Sequence, residues 1–434
     1  MRTVYLDTLG CKLNYSETST YQRQFEGLGF QAVRTPREAS VCVLNSCAVT
    51  EQAQKKCRQE LHKLRRANPS TFVVLVGCYA DLLSQEGQTL EGVDLLVARC
   101  DKNRLADRVV RALSGTPIAE GCGATEPYFP AFSRGGRTRA FLKVQDGCDY
   151  HCTYCAIPLA RGGSRSGTIA EILEQVEGIA AAGILEVVIT GVNTGDFGRG
   201  GGERFLDLLR ALDGVESIAR YRISSIEPNL LSDEILSFLA GSRAFMPHFH
   251  IPLQSGSNDV LRRMGRRYTT ERYAERIAAA RAAFERPFLG IDLIVGFPGE
   301  TDGHFQETYD FLVSLSPSYL HLFPYSQRPG TPAAGYADQV SPATVHQRME
   351  RLLSLNTSFQ EEYARSFLGT EAEVLVERID ASGVATGHTA NYLSVYFQAE
   401  RAVHGSLCRV LLTEYCPARS TAVASTISAR ELTD

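Results

Sequence analysis

A chain of 434 residues is longer than one hydrophobic core usually serves, so two or three domains are expected. Its 44% hydrophobic and 22% charged content is that of a globular protein. No run approaches the ~18 apolar residues of a membrane-spanning helix, and a formal net charge of −4 leaves any RNA contact to local basic patches.

In the first 114 residues, Val4–Leu6, Val41–Leu44, Phe72–Val76 and Val93–Val97 read as strands. Helix-like stretches begin near Ser16 and Thr50 and run over Arg104–Leu113. This alternation predicts a doubly wound parallel sheet. Residues 115–137, with Gly-Cys-Gly-Ala, two prolines around Tyr128-Phe129 and Ser-Arg-Gly-Gly, favour turns and are expected to form a linker. From 138 to 366, six strand candidates follow: Ala140–Val144, Leu185–Ile189, Tyr221–Ile226, His248–Leu253, Leu289–Val295 and Tyr319–Phe323. All but the last have a helix-like segment close behind, such as Thr270–Phe284, which fits an incomplete (βα)6 barrel closed by a helix over Pro342–Phe367. Residues 367–434 change to short β segments at Glu373–Val376, Leu393–Phe397, Leu407–Leu412 and Ala422–Ile427, the pattern of a small β-barrel.

The start, Met1-Arg-Thr-Val-Tyr-Leu-Asp7, has no apolar leader, so the chain is expected in the cytoplasm with no membrane attachment and as a monomer. In that compartment twelve cysteines point to metal or redox chemistry rather than disulfides. Cys148, Cys152 and Cys155 lie within eight residues after the first barrel strand, at the end where α/β barrels carry active sites. Three thiolates can hold three irons of a [4Fe–4S] cluster and leave the fourth open. A structural zinc with His151 as fourth ligand is the other reading of this run. Cys11, Cys47 and Cys78 each follow a predicted strand, so a parallel sheet would align them along one edge as a second cluster. Read singly, each would be a small packing residue. Of Cys42, Cys57, Cys100, Cys122, Cys408 and Cys416, only Cys100 also follows a strand of that sheet and competes as a ligand, and Cys122 is the thiol expected to oxidise most readily. The helix after Thr50 carries Lys55, Lys56, Arg58, His62, Lys63, Arg65 and Arg66, which could track an RNA backbone or simply face solvent.

The Cys-x-x-x-Cys-x-x-Cys run, with Tyr154 before its last cysteine, resembles the signature of the radical S-adenosylmethionine superfamily. Lys143-Val-Gln-Asp-Gly-Cys148 and Ile157-Pro-Leu-Ala-Arg-Gly-Gly-Ser-Arg-Ser166 are similar to its methylthiotransferase branch, and the resemblance spans almost the whole chain. It implies that Cys148, Cys152 and Cys155 hold a [4Fe–4S] cluster whose open iron is chelated by S-adenosyl-L-methionine. It also implies a second cluster on Cys11, Cys47 and Cys78, in matching Gly-Cys, Asn-x-Cys and Gly-Cys contexts. By the same resemblance Tyr154, Thr190, Gly191, Asn193, Glu227, Gln254 and the turn Ile294–Gly299 contact the cofactor, although a helix cap at Glu227 and a plain turn at Gln254 stay open. Arg161 and Arg165, beside the cluster motif, are cations for a carboxylate or a phosphate.

The implied reaction is radical removal of hydrogen from an unactivated carbon followed by methylthio transfer, driven by an external one-electron donor such as flavodoxin or ferredoxin. His388-Thr-Ala-Asn-Tyr392 resembles the TRAM RNA-binding barrel, yet from Ser366 onward five arginines face eight acids. Lys12-Leu13-Asn14, Arg222-Ile-Ser-Ser-Ile-Glu-Pro228 and His388–Tyr392 are similar to the branch acting at C2 of N6-threonylcarbamoyladenosine beside the tRNA anticodon. There Lys12, Arg161 or Arg328 would meet the threonyl carboxylate. The alternatives are an isopentenyladenosine in tRNA, a ribosomal-protein aspartate or, more remotely, a noncatalytic zinc-containing RNA-binding protein.

Overall fold

A computed structural model describes residues 2–116, 127–135, 137–417 and 426–432. Five strands, β1 (Thr3–Thr8), β2 (Gln31–Ala32), β3 (Val41–Ser46), β4 (Phe72–Gly77) and β5 (Leu95–Leu96), form a parallel sheet in the order β2-β1-β3-β4-β5. Both faces are covered. Helices α1 (Lys12–Gly27) and α4 (Leu105–Leu113) pack on one side, α2 (Glu51–Ala67) and α3 (Cys78–Gln85) on the other. Alternation along β3 explains the two cores, since Val41 and Val43 join Tyr21, Phe25 and Leu105 while Cys42 and Leu44 join Cys57, Leu61 and Leu83. The strand order reverses between β1 and β3, and the crevice at such a switch point is where open α/β sheets bind ligands.

The expected linker is partly built into the fold. Its residues Ala131–Phe132 form β6, antiparallel to β7 (Arg139–Lys143), and the Phe129 ring stacks on Tyr21 of α1 at 5.4 Å. A short antiparallel pair, β8 (Gln145–Asp146) and β9 (Arg165–Ser166), flanks the Cys148 loop. Strands β7, β10 (Glu186–Thr190) and β11 (Arg220–Ile223) form one parallel run, and β12 (His248–His250), β13 (Phe288–Val295) and β14 (Tyr319–Pro324) another. Backbone bonds from Tyr221 N to Ala244 O (2.7 Å) and Ile226 N to His250 O (3.1 Å) join the two runs into a six-stranded arc. Helices α5 (Ile157–Arg161), α6 (Ile169–Ala180), α7 (Phe205–Asp213), α8 (Asp233–Gly241), α9 (Asn258–Arg263), α10 (Thr270–Ala283), α11 (Asp302–Leu315) and α12 (Pro342–Arg365) accompany it. Leu142, Ile189, Val176, Leu208, Leu236, Ile277 and Leu312 form the core between arc and helices.

Strands β15 (Glu371–Ile379), β16 (Val384–Thr389), β17 (Ser394–Gln398), β18 (Leu407–Cys416) and β19 (Thr426–Glu431) close a barrel in the order β15-β16-β17-β19-β18. Residues 422–425 of the expected last strand lie outside the described residues. Arginines from the arc dock this barrel: Arg222 donates to Thr389 O (2.8 Å) and Ala390 O (2.7 Å), Arg220 pairs with Glu373 (2.8 Å), and Arg139 pairs with Glu377. Among the described residues no helix is long and apolar enough to cross a membrane.

Candidate functional site

Cys148, Cys152 and Cys155 line a cavity of about 360 Å³ at the carboxyl ends of the arc strands. The loop is held by bonds from Cys148 N to Gly162 O (3.0 Å) and Thr153 N to Met264 O (2.9 Å). Of the expected cofactor contacts, Tyr154, Asn193, Glu227 and Gln254 line the same cavity. Asn193 carries the clearest sign of a ligand. Its side chain is 2% exposed with both polar atoms unpartnered, while its backbone N–H is fixed by Gln145 Oε1 at 2.9 Å. Buried polar atoms normally find partners, so this one awaits a bound group. Gln254 adopts φ 71°, a left-handed conformation held by bonds to and from β13.

Two expected contacts lie elsewhere. Thr190 is buried with its hydroxyl donated to Leu142 O (3.0 Å), and Gly191 backs onto Gln145 and Thr194, so both support the turn from behind while Val192 and Asn193 face the cavity. Glu227 is neither a helix cap nor free, because Arg266 pairs with it. Arg266 also donates to Cys152 Sγ (3.2 Å) and Tyr268 OH (3.0 Å), which sets a buried cation beside the thiols. Sequence reading missed Arg266; its position within Arg262-Arg-Met-Gly-Arg-Arg267 suggests only a solvated basic run. Burial pushes the Cys148 thiol up to about 11 and the Cys155 thiol up to about 12.

The second cysteine set also converges. Cys11 caps α1, Cys47 follows β3 directly, and Cys78 opens α3 after β4. Pairings Thr8 with Asn45 and Ser46 with Gly77 bring the three loops side by side. Gly10, at φ 103°, is required there, since a Cβ would lie 2.8 Å from Cys47 Cβ. Asn14 Nδ2 donates to Leu9 O and Ser46 O, both at 2.9 Å, and pins two of the loops together. Burial raises the Cys47 thiol and pushes Cys78 up to about 12. The competitor Cys100 is disulfide-bonded, against the expectation of unpaired thiols, and is removed as a ligand. Cys42 and Cys57 are core residues, and Cys122 lies outside the described residues.

Arg161 differs from expectation. At 1% exposure, its Nε donates to Cys78 Sγ (3.2 Å), Nη2 to Asn14 Oδ1 (2.6 Å), and Nη1 to Asp146 Oδ1 (2.8 Å) and Glu17 Oε1 (3.1 Å). It is therefore a clamp between the two cysteine sets, with no hand free for a substrate carboxylate. Arg165 is spent similarly on Arg161 O, Gly163 O and Asp146. Arg328 is 3% exposed and lines the Cys148 cavity, its Nε unpartnered. Burial lowers its pKa, against the pull of Cys47 and Glu51. Lys12 opens instead into a separate cavity at the base of the arc.

Three convergent thiols, a nearby cation and the orphaned Asn193 amide fit a cluster with one open iron and an amino-acid-bearing cofactor. The family described as the Radical SAM superfamily matches residues 142–312, and Uncharacterized protein family UPF0004 matches residues 3–98. Over 423 residues the chain is 37% identical to Threonylcarbamoyladenosine tRNA methylthiotransferase MtaB of Bacillus subtilis, covering 94% of this chain and 93% of that protein. It is 32% identical over 425 residues to tRNA-2-methylthio-N(6)-dimethylallyladenosine synthase of Dictyoglomus thermophilum, covering 95% and 96%. The fold is similar to that of the radical S-adenosylmethionine methyltransferase TsrM from Kitasatospora setae, with a TM-score of 0.56 at 16% identity over 77% of this chain and 75% of that one. With relatives of this identity along nearly its whole length and the radical cluster motif seated in the barrel mouth, the chain belongs to the radical S-adenosylmethionine methylthiotransferase family.

Proposed function

We propose that this enzyme adds a methylthio group to C2 of N6-threonylcarbamoyladenosine next to the anticodon of tRNA and uses two [4Fe–4S] clusters to do so. In this reading Cys148, Cys152 and Cys155 hold one cluster with S-adenosylmethionine, and Cys11, Cys47 and Cys78 hold the other. When bound, these groups supply hydrogen-atom abstraction after one-electron reduction by an external donor such as flavodoxin or ferredoxin, and the sulfur to be transferred. The observation that carries the reading is the joining of the two cysteine sets. Val49 and Thr50, just past Cys47, wall the Cys148 cavity, and Arg161, shortly after Cys155, donates to Cys78 Sγ.

The chain's own groups have the following tasks. Asn193 and Gln254 bind polar groups of the cofactor, Tyr154 closes the wall behind it, and Thr190 and Gly191 hold the Asn193 turn in position. Arg266 pairs with Glu227 and orients it, and lends positive charge to the cluster thiolates. Arg328, buried and unpartnered at the mouth, is available to an anionic group of the substrate. The division of labour is a cluster unit over 1–114, a radical unit over 138–366 and an RNA-holding unit over 367–434, bridged by 115–137. The names of the relatives from Bacillus subtilis and Dictyoglomus thermophilum differ in the adenosine substituent, so the substituent is the point to test. The reconstituted enzyme is offered tRNA with the threonylcarbamoyl group, with the isopentenyl group, and with neither. Mass spectrometry is expected to find methylthio product only with the first, and equal or greater product with another sinks the assignment.

A further inference from the structure

The base of the arc, where α12 and the small barrel meet it, encloses a second cavity of about 310 Å³. Its walls are rings. Tyr392 packs against Phe288 (5.4 Å between centroids) and His248 (4.7 Å), and His248 stacks flat on Phe288 at 5.0 Å. His321 stands between His250 (4.9 Å) and Tyr319 (4.6 Å). Among the described residues, Lys12, the residue after Cys11, is the lysine or arginine that lines this aromatic enclosure.

Lys12 makes no hydrogen bond or ion pair with any described residue. The acids near it are already taken: Glu377 by Arg139 and His388 (2.7 Å), and Asp292 by His250 (2.5 Å). Lys12 is exposed and lines this cavity, so a cation without a counter-ion among the described residues is available there to an anionic ligand. His250, Asp292 and His321 also present ligand atoms within 4.8 Å of one another, as a metal site would. However, His250 spends Nδ1 on Ser224 O (2.7 Å) and Nε2 on Asp292, contacts of hydrogen-bond length, so the free valence here is for an anion. The same pair links the two chambers, because His250 lines the lower cavity and Asp292 the Cys148 cavity.

We propose that the lower cavity is the pocket for the N6 substituent of the target base, holding a carboxylate on Lys12 and the attached acyl chain against the rings of Phe288, Tyr392 and His321. This rests on the proposed substrate being a tRNA base with such a substituent. An isopentenyl group would fill the rings but leave Lys12 without its counter-ion.

The test uses holoenzyme and labelled anticodon stem-loops carrying threonylcarbamoyladenosine or its uncharged carboxamide analogue, with affinities read by fluorescence anisotropy. Wild type is expected to prefer the carboxylate form by about tenfold to a hundredfold, the worth of a charged hydrogen bond. Lys12→Met is expected to lose the preference and Lys12→Arg to keep most of it. Each readout is a ratio within one protein, so partial unfolding of a variant lowers both affinities and leaves the ratio meaningful. No preference in wild type, or an unchanged ratio in Lys12→Met, overturns the pocket even if threonylcarbamoyl tRNA is turned over. Turnover of isopentenyl tRNA alone overturns the proposed function and the pocket with it.

Discussion

Cys152 and Cys47 are each the middle cysteine of their set, yet their removal should have opposite signatures. Cys152 shares its surroundings with Arg266 and the cofactor cavity, so Cys152→Ala is expected to abolish formation of 5′-deoxyadenosine. Cys47 belongs to the sheet edge, so Cys47→Ala should retain that cleavage and lose methylthio product, both measured by chromatography with mass detection. If both variants transferred sulfur, the two-cluster proposal would be wrong. Gly10 allows a milder probe. Gly10→Ala forces a side chain into a left-handed backbone against Cys47, a strain of roughly 1–3 kcal/mol. The variant is expected to lose about half of its cluster iron while keeping the radical cluster. Full iron content would show that the Cys47 loop tolerates displacement.

At the scale of elements, α1 and α5 are joined by buried charge. Glu17 on α1 meets Lys143 Nζ at 2.9 Å and Arg161 Nη1 at 3.1 Å, all at 1% side-chain exposure or less, and Asp146 shares both cations. Burial alone would raise the Glu17 carboxyl, but Arg161 and Lys143 outweigh it and hold it at about 2. Removing one partner strands the others, so Glu17→Gln is expected to destabilise the chain by about 3–5 kcal/mol at neutral pH. The sign with pH follows from a folded pKa below the unfolded value of about 4.3. The contribution is complete above that value and is lost as pH falls toward about 2. Urea midpoints of wild type and Glu17→Gln should therefore converge below about pH 4, and a constant gap would exclude ionisation as its source. Elements also differed in how readable they were. Strands β3, β4 and β13 stood out because continuous apolar runs mark strands buried on both faces. Strand β16, Val-Ala-Thr-Gly-His-Thr, was missed because barrel closure forms it and its few apolar residues carry no clear period.

For the whole molecule, the exposed side of α2 begins at the mouth of the Cys148 cavity and carries Lys55, Lys56 and Lys63 in solvent. If this face tracks the tRNA backbone, replacing these three lysines by alanine weakens all tRNAs alike. The slope of log affinity against log salt should then shrink by about one for each phosphate no longer neutralised. An unchanged slope would leave α2 as a solvated face.

The sequence by itself determined the fold class and both cysteine sets. Strand periodicity and the spacing of thiols are local patterns, and a parallel sheet converts equivalent loop positions into neighbours without further information. It did not determine which cations are free. Arg161 reads as an available charge beside the cluster motif, and only tertiary structure brings Glu17, 144 residues away, against it. Arg266 reads as one of a solvated basic run, yet folding buries it between Glu227 and Cys152. Lys12 reads as a candidate for the substrate carboxylate, but only the meeting of sheet, arc and barrel sets it, exposed and without a partner among the described residues, on the wall of an aromatic cavity. Periodicity records which face of an element is apolar, whereas the pairing of a charge depends on which distant element packs against it, and that is decided only when the three parts assemble.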